Sequence, residues 1–260
     1  MTPTSAQEQT YPQVPAISDV SGPAIVPQQR HRRPATVSPT LDATPEWHRR
    51  ARTRRYLNVA VALTLLVLVF PVMLLVALLV KLTSPGPVLF TQTRVGLDRR
   101  YVRPVGHWRR RVDYGGRLFT IYKFRTMYVQ KDWNRDQVWA QPDDPRVTPL
   151  GRILRGFRLD ELPQLVNVLR GDMNLVGPRP EQPKIFQDLR HQVHAYGVRQ
   201  RVLPGITGWA QINHHYDRSL EDVRTKLSYD LEYVTRQSLL HDAAILLRTV
   251  PVVLLRRGAW

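Results

Sequence analysis

The chain has 260 residues, with 38 Lys and Arg against 21 Asp and Glu, no cysteine, and a net charge of +17. The absence of cysteine excludes disulfides and thiolate metal sites. The excess of positive charge points to an anionic partner: nucleic acid, an anionic membrane face or a phosphorylated substrate.

Three segments follow in order. Residues 1–48 open the chain and, to about Thr44, are rich in Pro, Ser, Thr and Gln with few aromatics. They hold too little apolar surface to offset the entropy of ordering, so a disordered tail is predicted. Residues 49–87 form the second segment, which begins with five arginines between Arg49 and Arg55. Tyr56 to Val80 is then almost wholly apolar, interrupted only by Asn58 and Thr64. Roughly 20 such residues cross a bilayer core, so this is a membrane segment. It starts too late for a cleavable signal peptide and lacks a small-residue cleavage site. Basic residues flank both ends, and Lys and Arg favour the cytoplasmic side. Pro71, near the middle, removes a backbone donor and bends a helix. A re-entrant helix broken at Pro71, with both ends cytoplasmic, satisfies both observations; a kinked spanning anchor is the other solution.

Residues 88–260 make the third segment. Ser84-Pro85-Gly86-Pro87 turns the chain out of the apolar helix. Val88–Arg94 and Leu118–Met127 alternate as strands do. Between them Asp98–Arg117 is a basic loop around Trp108, suited to nucleic acid, to headgroups, or simply to solvent. Helices are predicted over Val147–Phe157, where Leu150, Ile153, Leu154 and Phe157 share a face, and over Leu162–Leu169, where Pro163 fits the first turn. A third covers Glu181–Tyr196. Pro204–Asn213 reads as a turn leading into a brief extended segment, and His214-His215 as a solvent-exposed pair. Ser219 with Asp222 resembles a capping arrangement that opens a helix to about Val234. A final apolar helix spans Leu239 to about Leu255, and its end, VVLLRRGAW, suits a membrane interface or core packing alike.

No P-loop, no G-x-G-x-x-G and no metal-type His spacing occurs. The informative stretch is Arg158–Pro180, RLDELPQLVNVLRGDMNLVGPRP. Asp160 and Glu161 are adjacent acids, Asp172 sits in a Gly-Asp-Met turn, and a rigid Gly177-Pro178-Arg179-Pro180 loop follows. Arg155, Arg158, Arg170 and Arg179 punctuate the region. Carboxylates among guanidinium groups suit a site that holds Mg²⁺ and a phosphate ester together, each charge offsetting another. Taken alone, Asp160 also reads as a helix N-cap and Glu161 as a first-turn acid. A simple cap needs neither the arginines nor the loop.

The blocks SPGPVLFTQTRVG, YKFRTM, LDELPQLVNVLRGDMNLVGPRP and PGITGWAQIN occur in that order. From about Tyr56 onward the chain resembles the bacterial sugar transferases, monotopic polyprenyl-phosphate phosphoglycosyl transferases. The resemblance implies a helix-rich α/β membrane-associated domain, with an N-terminal re-entrant membrane helix and interfacial amphipathic helices. It implies residence at the bacterial inner membrane, with the catalytic domain on the cytoplasmic face. The implied partners are a UDP-sugar donor, a polyprenyl (undecaprenyl) phosphate acceptor and an anionic lipid membrane, with Mg²⁺ as cofactor and no nucleic acid. Sugar 1-phosphate would pass to the lipid with release of UMP, through a phosphosugar-aspartate intermediate, and so initiate polysaccharide or glycoconjugate assembly. By the same resemblance Asp160 is the nucleophile and a metal ligand, and Glu161 is its partner. Arg155 and Arg179 lie near the bound anion, Lys123 and Arg125 are further phosphate-binding candidates, and Asp172 belongs to a structural turn. The chain has Phe70-Pro71 where the family has Ser-Pro, a longer basic loop before YKFRTM, and His214-His215 after GWAQIN. Two other readings compete: a lipid-phosphate hydrolase using the same aspartate, and a membrane-tethered nucleic-acid binder.

Overall fold

In the computed structural model, residues 45–98, 114–129, 144–214 and 219–256 are described, with side chains from Ala51 onward. The N-terminal tail, the centre of the basic loop with Trp108, His215 and the end at Trp260 lie outside the described residues.

Helix α1 runs from Pro45 to Thr83 and stays helical through Pro71. Proline there costs one backbone hydrogen bond without ending the helix. The part from Ala51 to Thr83 is long and apolar enough to cross a membrane. Most of its large side chains are exposed, Leu68 and Val67 among them, while a narrow seam of Asn58, Ala62, Val76 and Val80 is buried. The first half of that seam packs through Ala62 into a core of Leu165, Val168, Leu175 and Tyr233. The second half packs through Val76 and Val80 against Phe124 and Leu154. Both ends of the apolar helix therefore meet one folded domain. Polar ties reinforce the first contact: Arg54 donates to Tyr233 Oη and Asp242, and Asn58 Oδ1 accepts the Leu175 amide at 2.7 Å.

The chain then forms β1 (Leu89–Val95) and β2 (Leu118–Phe124), an antiparallel pair with Leu89 opposite Phe124 and Val95 opposite Leu118. β2 is shorter than the alternation predicts: Met127 keeps only an isolated bridge to Val147. That bridge also delays the next helix, since Val147 is extended and Thr148 caps α2 (Pro149–Gly156) by accepting from the Gly151 amide. A 3₁₀ turn at Leu159–Glu161 leads to α3 (Gln164–Arg170), which Gly171 ends in a left-handed conformation. β3 (Asn174–Val176) pairs in parallel with β4 (Gly205–Thr207), and between them lie α4 (Pro183–Gln192) and a 3₁₀ segment, Tyr196–Arg201.

After β4 the WAQIN block is helix α5 (Trp209–Asn213), not the extended segment predicted for it. One tertiary and one local bond favour the helix: Trp209 Nε1 donates to Glu232 on a distant segment, and Asn213 donates back to the Trp209 carbonyl one turn away. Helix α6 (Leu220–Arg236) opens on the expected Ser219–Asp222 capping box, and α7 (Leu239–Leu254) on a Ser238 cap. The architecture is helix-rich, with two small two-stranded sheets among the described residues.

Candidate active site

Arg158 adopts a left-handed backbone, φ 54°, and reverses the chain between α2 and the 3₁₀ turn that carries both acids. Such a conformation is uncommon for a residue with a Cβ and persists only where its surroundings impose it. Asp160 and Glu161 are 8 % and 5 % exposed. Neither serves as a cap: Arg158 and Pro163 hold the N-cap positions of the turn and of α3, without a side-chain bond. The capping explanation for Asp160 is thereby removed.

β2 delivers Lys123, whose Nζ lies 2.8 Å from Glu161 Oε1 and 3.9 Å from Asp160 Oδ2. The Gly177–Pro180 loop delivers Arg179, whose Nη2 lies 2.9 Å from the same Glu161 oxygen. Burial by itself would raise the Glu161 carboxyl, but Arg179, Lys123 and Arg158 outweigh it and hold the group well below the usual carboxylate range. For Asp160 burial wins: its carboxyl is pushed up, helped by the negative Glu161, with Lys123, Arg155 and Arg179 opposing. Burial likewise lowers Lys123, with Arg179 adding to the effect and the two carboxylates resisting it. One acid is thus a fixed anion clamped by two cations, and its neighbour is a less stabilised carboxylate.

Arg155 reaches the group from α2. Its Nε donates to Thr126 Oγ1 at 2.9 Å, and Asp160 and Asp144 favour its charge against burial. Thr126 was not singled out in the sequence; its place in the YKFRTM block, next to two candidate cations, was the available signal. Arg125 does not join the site. It donates to the Ser84 carbonyl, Ser84 Oγ and the Pro85 carbonyl at 2.7, 2.8 and 2.6 Å, closing the C-terminal end of α1. Lys123 and Arg125 would share a face in a continuing strand, but β2 stops at Phe124 and the chain leaves the sheet. Among the described residues, then, Arg125 holds the end of α1 and Lys123 meets the two acids. Pro71 remains inside α1, and Asp172 starts the turn after α3 with its amide on Asn167.

The Arg179 loop is held from behind. Arg199, only 1 % exposed, donates to the Arg179 carbonyl and pairs with Glu181 and Asp230 at 3.1 and 2.8 Å. Arg94 donates to the Pro180 carbonyl at 3.1 Å. Gly205 and Gly177 let β4 and the loop touch, since a Cβ on Gly205 would come within 2.0 Å of the Gly177 nitrogen. Arg199, Glu181 and Asp230 lie apart in the chain and carry no motif of their own, so nothing in the sequence marks them as partners. His214 is half-buried at the end of α5 rather than solvent-exposed, its amide on the Ala210 carbonyl.

Among the described residues no group of three or more His, Asp or Glu could hold a metal unaided. Asp144 is bound bidentately by Arg146, and Glu161 by its two cations, so Asp160 is the one carboxylate of the site not already paired at short range. Magnesium is commonly held by one or two carboxylates together with substrate phosphates and water. The residues fit an ion brought with a diphosphate substrate.

The bacterial sugar transferase family model matches residues 49–256. The chain belongs to the bacterial sugar transferase family. The chain is 42 % identical over 209 residues to the UDP-glucose:undecaprenyl-phosphate glucose-1-phosphate transferase of Caulobacter vibrioides, covering 80 % of this chain and 72 % of that protein. It is 40 % identical over 206 residues to the UDP-N-acetylgalactosamine-undecaprenyl-phosphate N-acetylgalactosaminephosphotransferase of Aeromonas hydrophila, covering 79 % of this chain and 44 % of that one. To the UDP-glucose:undecaprenyl-phosphate glucose-1-phosphate transferase of Escherichia coli it is 39 % identical over 199 residues, 76 % of this chain and 39 % of the other. The chain therefore spans less than half the length of two of these three relatives.

Proposed function

We propose that the transferase passes a sugar 1-phosphate from a UDP-sugar to polyprenyl phosphate at the cytoplasmic face of the bacterial inner membrane, and so starts a polysaccharide or glycoconjugate. The observation that carries this is the division of labour in one turn: Asp160 buried, uncapped and with its carboxyl pushed up, beside a Glu161 locked by Lys123 and Arg179. A carboxylate stabilised less by its surroundings is the better nucleophile, provided cations offset the repulsion from an approaching phosphate. Relatives named for UDP-sugars and undecaprenyl phosphate support both substrates.

In the first step an Asp160 oxygen attacks the sugar-bearing phosphorus. The bond to the UMP oxygen breaks, UMP leaves, and an acyl phosphate carrying the sugar remains. In the second step an oxygen of the lipid phosphate attacks the same phosphorus, the bond to Asp160 breaks, and the carboxylate is restored. No water is consumed and no redox partner is needed. Arg155 and Arg179 offset charge on the transferring phosphoryl group, Lys123 lies between the two acids, and Glu161 keeps Lys123 and Arg179 oriented. Mg²⁺, held by Asp160 with the diphosphate oxygens, would supply further charge neutralisation.

Both ends of α1 on one domain support a helix that enters and leaves the membrane by the same face. Exposed Leu240, Leu247 and Leu254 on α7 support that helix lying at the interface.

The test uses purified full-length protein with UDP-sugars, polyprenyl phosphate and Mg²⁺. The wild type should form UMP and a diphosphosugar lipid together, and EDTA should stop both until Mg²⁺ is restored. Asp160→Asn should release no UMP. Normal turnover by that variant would end the assignment, and free phosphate in place of the diphosphosugar lipid would make the protein a hydrolase.

A further inference from the structure

The C-terminal end of α7 folds back onto the segment that carries the nucleophile. Arg256 has a left-handed backbone, φ 52°, and its amide donates to the Val253 carbonyl at 3.1 Å. This reversal lays its side chain across α2: the guanidinium carbon sits 4.1 Å from the centre of the Phe157 ring, and its stem passes Gly156, where a Cβ would meet Arg256 Cδ at 3.8 Å. Phe157 precedes Asp160 by three residues. One helical turn before Gly156, on the same face of α2, stands Arg152, exposed and with no side-chain partner among the described residues. Arg256 likewise has no hydrogen-bond partner for its N–H groups among the described residues; its only contact of this kind is the ring.

Beside these cations is an apolar rim. Ile153 is 57 % exposed, Leu254 68 % and Leu255 59 %. A guanidinium stacked on a ring uses its face and keeps its N–H edge for a planar, bidentate contact with phosphate oxygens. One cation of that kind, with the exposed Arg152 a turn away on α2 and bare leucine and isoleucine adjoining both in the chain, matches a ligand that is anionic at one end and hydrocarbon at the other.

We infer that Arg256 and Arg152 hold the phosphate of the polyprenyl acceptor, with its first isoprenoid units against Ile153, Leu254 and Leu255. The site lies on the stretch of chain leading into Asp160, with the Arg256 guanidinium stacked on Phe157 three residues before the nucleophile. The inference rests on the acceptor being a lipid phosphate, as in the proposed function. It separates the donor's cations, Arg155 and Arg179, from the acceptor's.

Equilibrium binding in neutral-detergent micelles, with polyprenyl phosphate and the matching polyprenol as probes, tests this on full-length protein. Arg256→Gln should weaken the phosphate about tenfold, as loss of one charge-assisted contact does, and leave the polyprenol alone. Arg256→Lys should fall between, because it keeps the charge and loses the planar stack. In turnover, Arg256→Gln and Arg152→Gln should each raise KM for the acceptor and not KM for the UDP-sugar. Phosphate binding and acceptor KM unchanged in both variants would overturn the inference, leaving Arg256 a lock for the end of α7. So would a defect seen only as weaker attachment to anionic vesicles, which would assign these cations to bilayer headgroups. A wild type that binds polyprenyl phosphate but forms no diphosphosugar lipid would sink the transferase function and spare the binding site.

Discussion

Asp160 and Glu161 occupy one turn and share the same cations, yet their protons are held in opposite senses. Glu161 meets Lys123 and Arg179 at hydrogen-bonding distance, whereas Asp160 has its nearest cation at 3.9 Å. Burial is common to both, so distance to a cation decides the sign. The linkage follows. The depressed Glu161 adds stability that is present above its unfolded pKa and is lost as pH falls through the folded value. The raised Asp160 works against folding once it ionises, so its contribution worsens as pH rises through its folded pKa. Two outcomes should appear in melting curves taken in detergent at neutral pH. Asp160→Asn should melt higher than wild type, because a neutral isostere removes a poorly compensated charge. Glu161→Gln should lose about 3 kcal/mol, the cost of stranding buried partners. Because attack needs ionised Asp160, UMP release should also fall on the acid side at a pH above that of a solvent-exposed aspartate. An Asp160→Asn protein that melts lower than wild type would contradict the electrostatic account.

At the scale of elements, α2 acts as a lever with its fulcrum at the end of β2. The Thr126 carbonyl receives the Thr148 amide at 3.0 Å, and its hydroxyl receives Arg155 one helical turn and more away. Gly151 makes this possible, since a Cβ there would lie 2.0 Å from the Thr126 oxygen. Backbone cannot yield as a flexible side chain does, so Gly151→Ala must push α2 off β2 and carry Arg155 with it. Misplacement of a catalytic group by about 1 Å costs up to about 100-fold in rate. The variant should therefore lose at least about tenfold in kcat for UMP release while remaining folded by far-UV circular dichroism. Retention of full kcat would show that Arg155 does not depend on this contact. The loop on the other side of the site depends similarly on Arg199, whose partners are Glu181 in the loop itself and Asp230 on α6.

For the whole molecule the decisive feature is that α1 is docked at both ends. Arg54 is tied to Asp242, and Arg125 closes the far end through Ser84 and Pro85. A spanning helix would put these two ties on opposite sides of a bilayer, so the re-entrant disposition proposed for α1 is directly testable. Single cysteines at Arg52 and Arg117, both exposed and in a chain with no native cysteine, should react in intact cells only with a membrane-permeant thiol reagent. Labelling of Arg52→Cys alone by an impermeant reagent would establish a spanning helix.

By itself the sequence settled what is local or compositional: an apolar helix flanked by arginines, the Ser219–Asp222 capping box, and the acidic pair set before α3 among cations. Each depends on neighbours within a turn or two, or on the solvent a whole segment requires. Tertiary structure decided which cation does what. Lys123 and Arg125 are two residues apart, yet one meets the acids and the other closes a helix, because β2 ends between them. It also made a helix of Trp209–Asn213, joined Arg199 to Asp230, and brought Arg256 onto Phe157. Guanidinium groups reach far and pair with whatever carbonyl, carboxylate or ring the folded chain presents, and those partners lie up to 188 residues away.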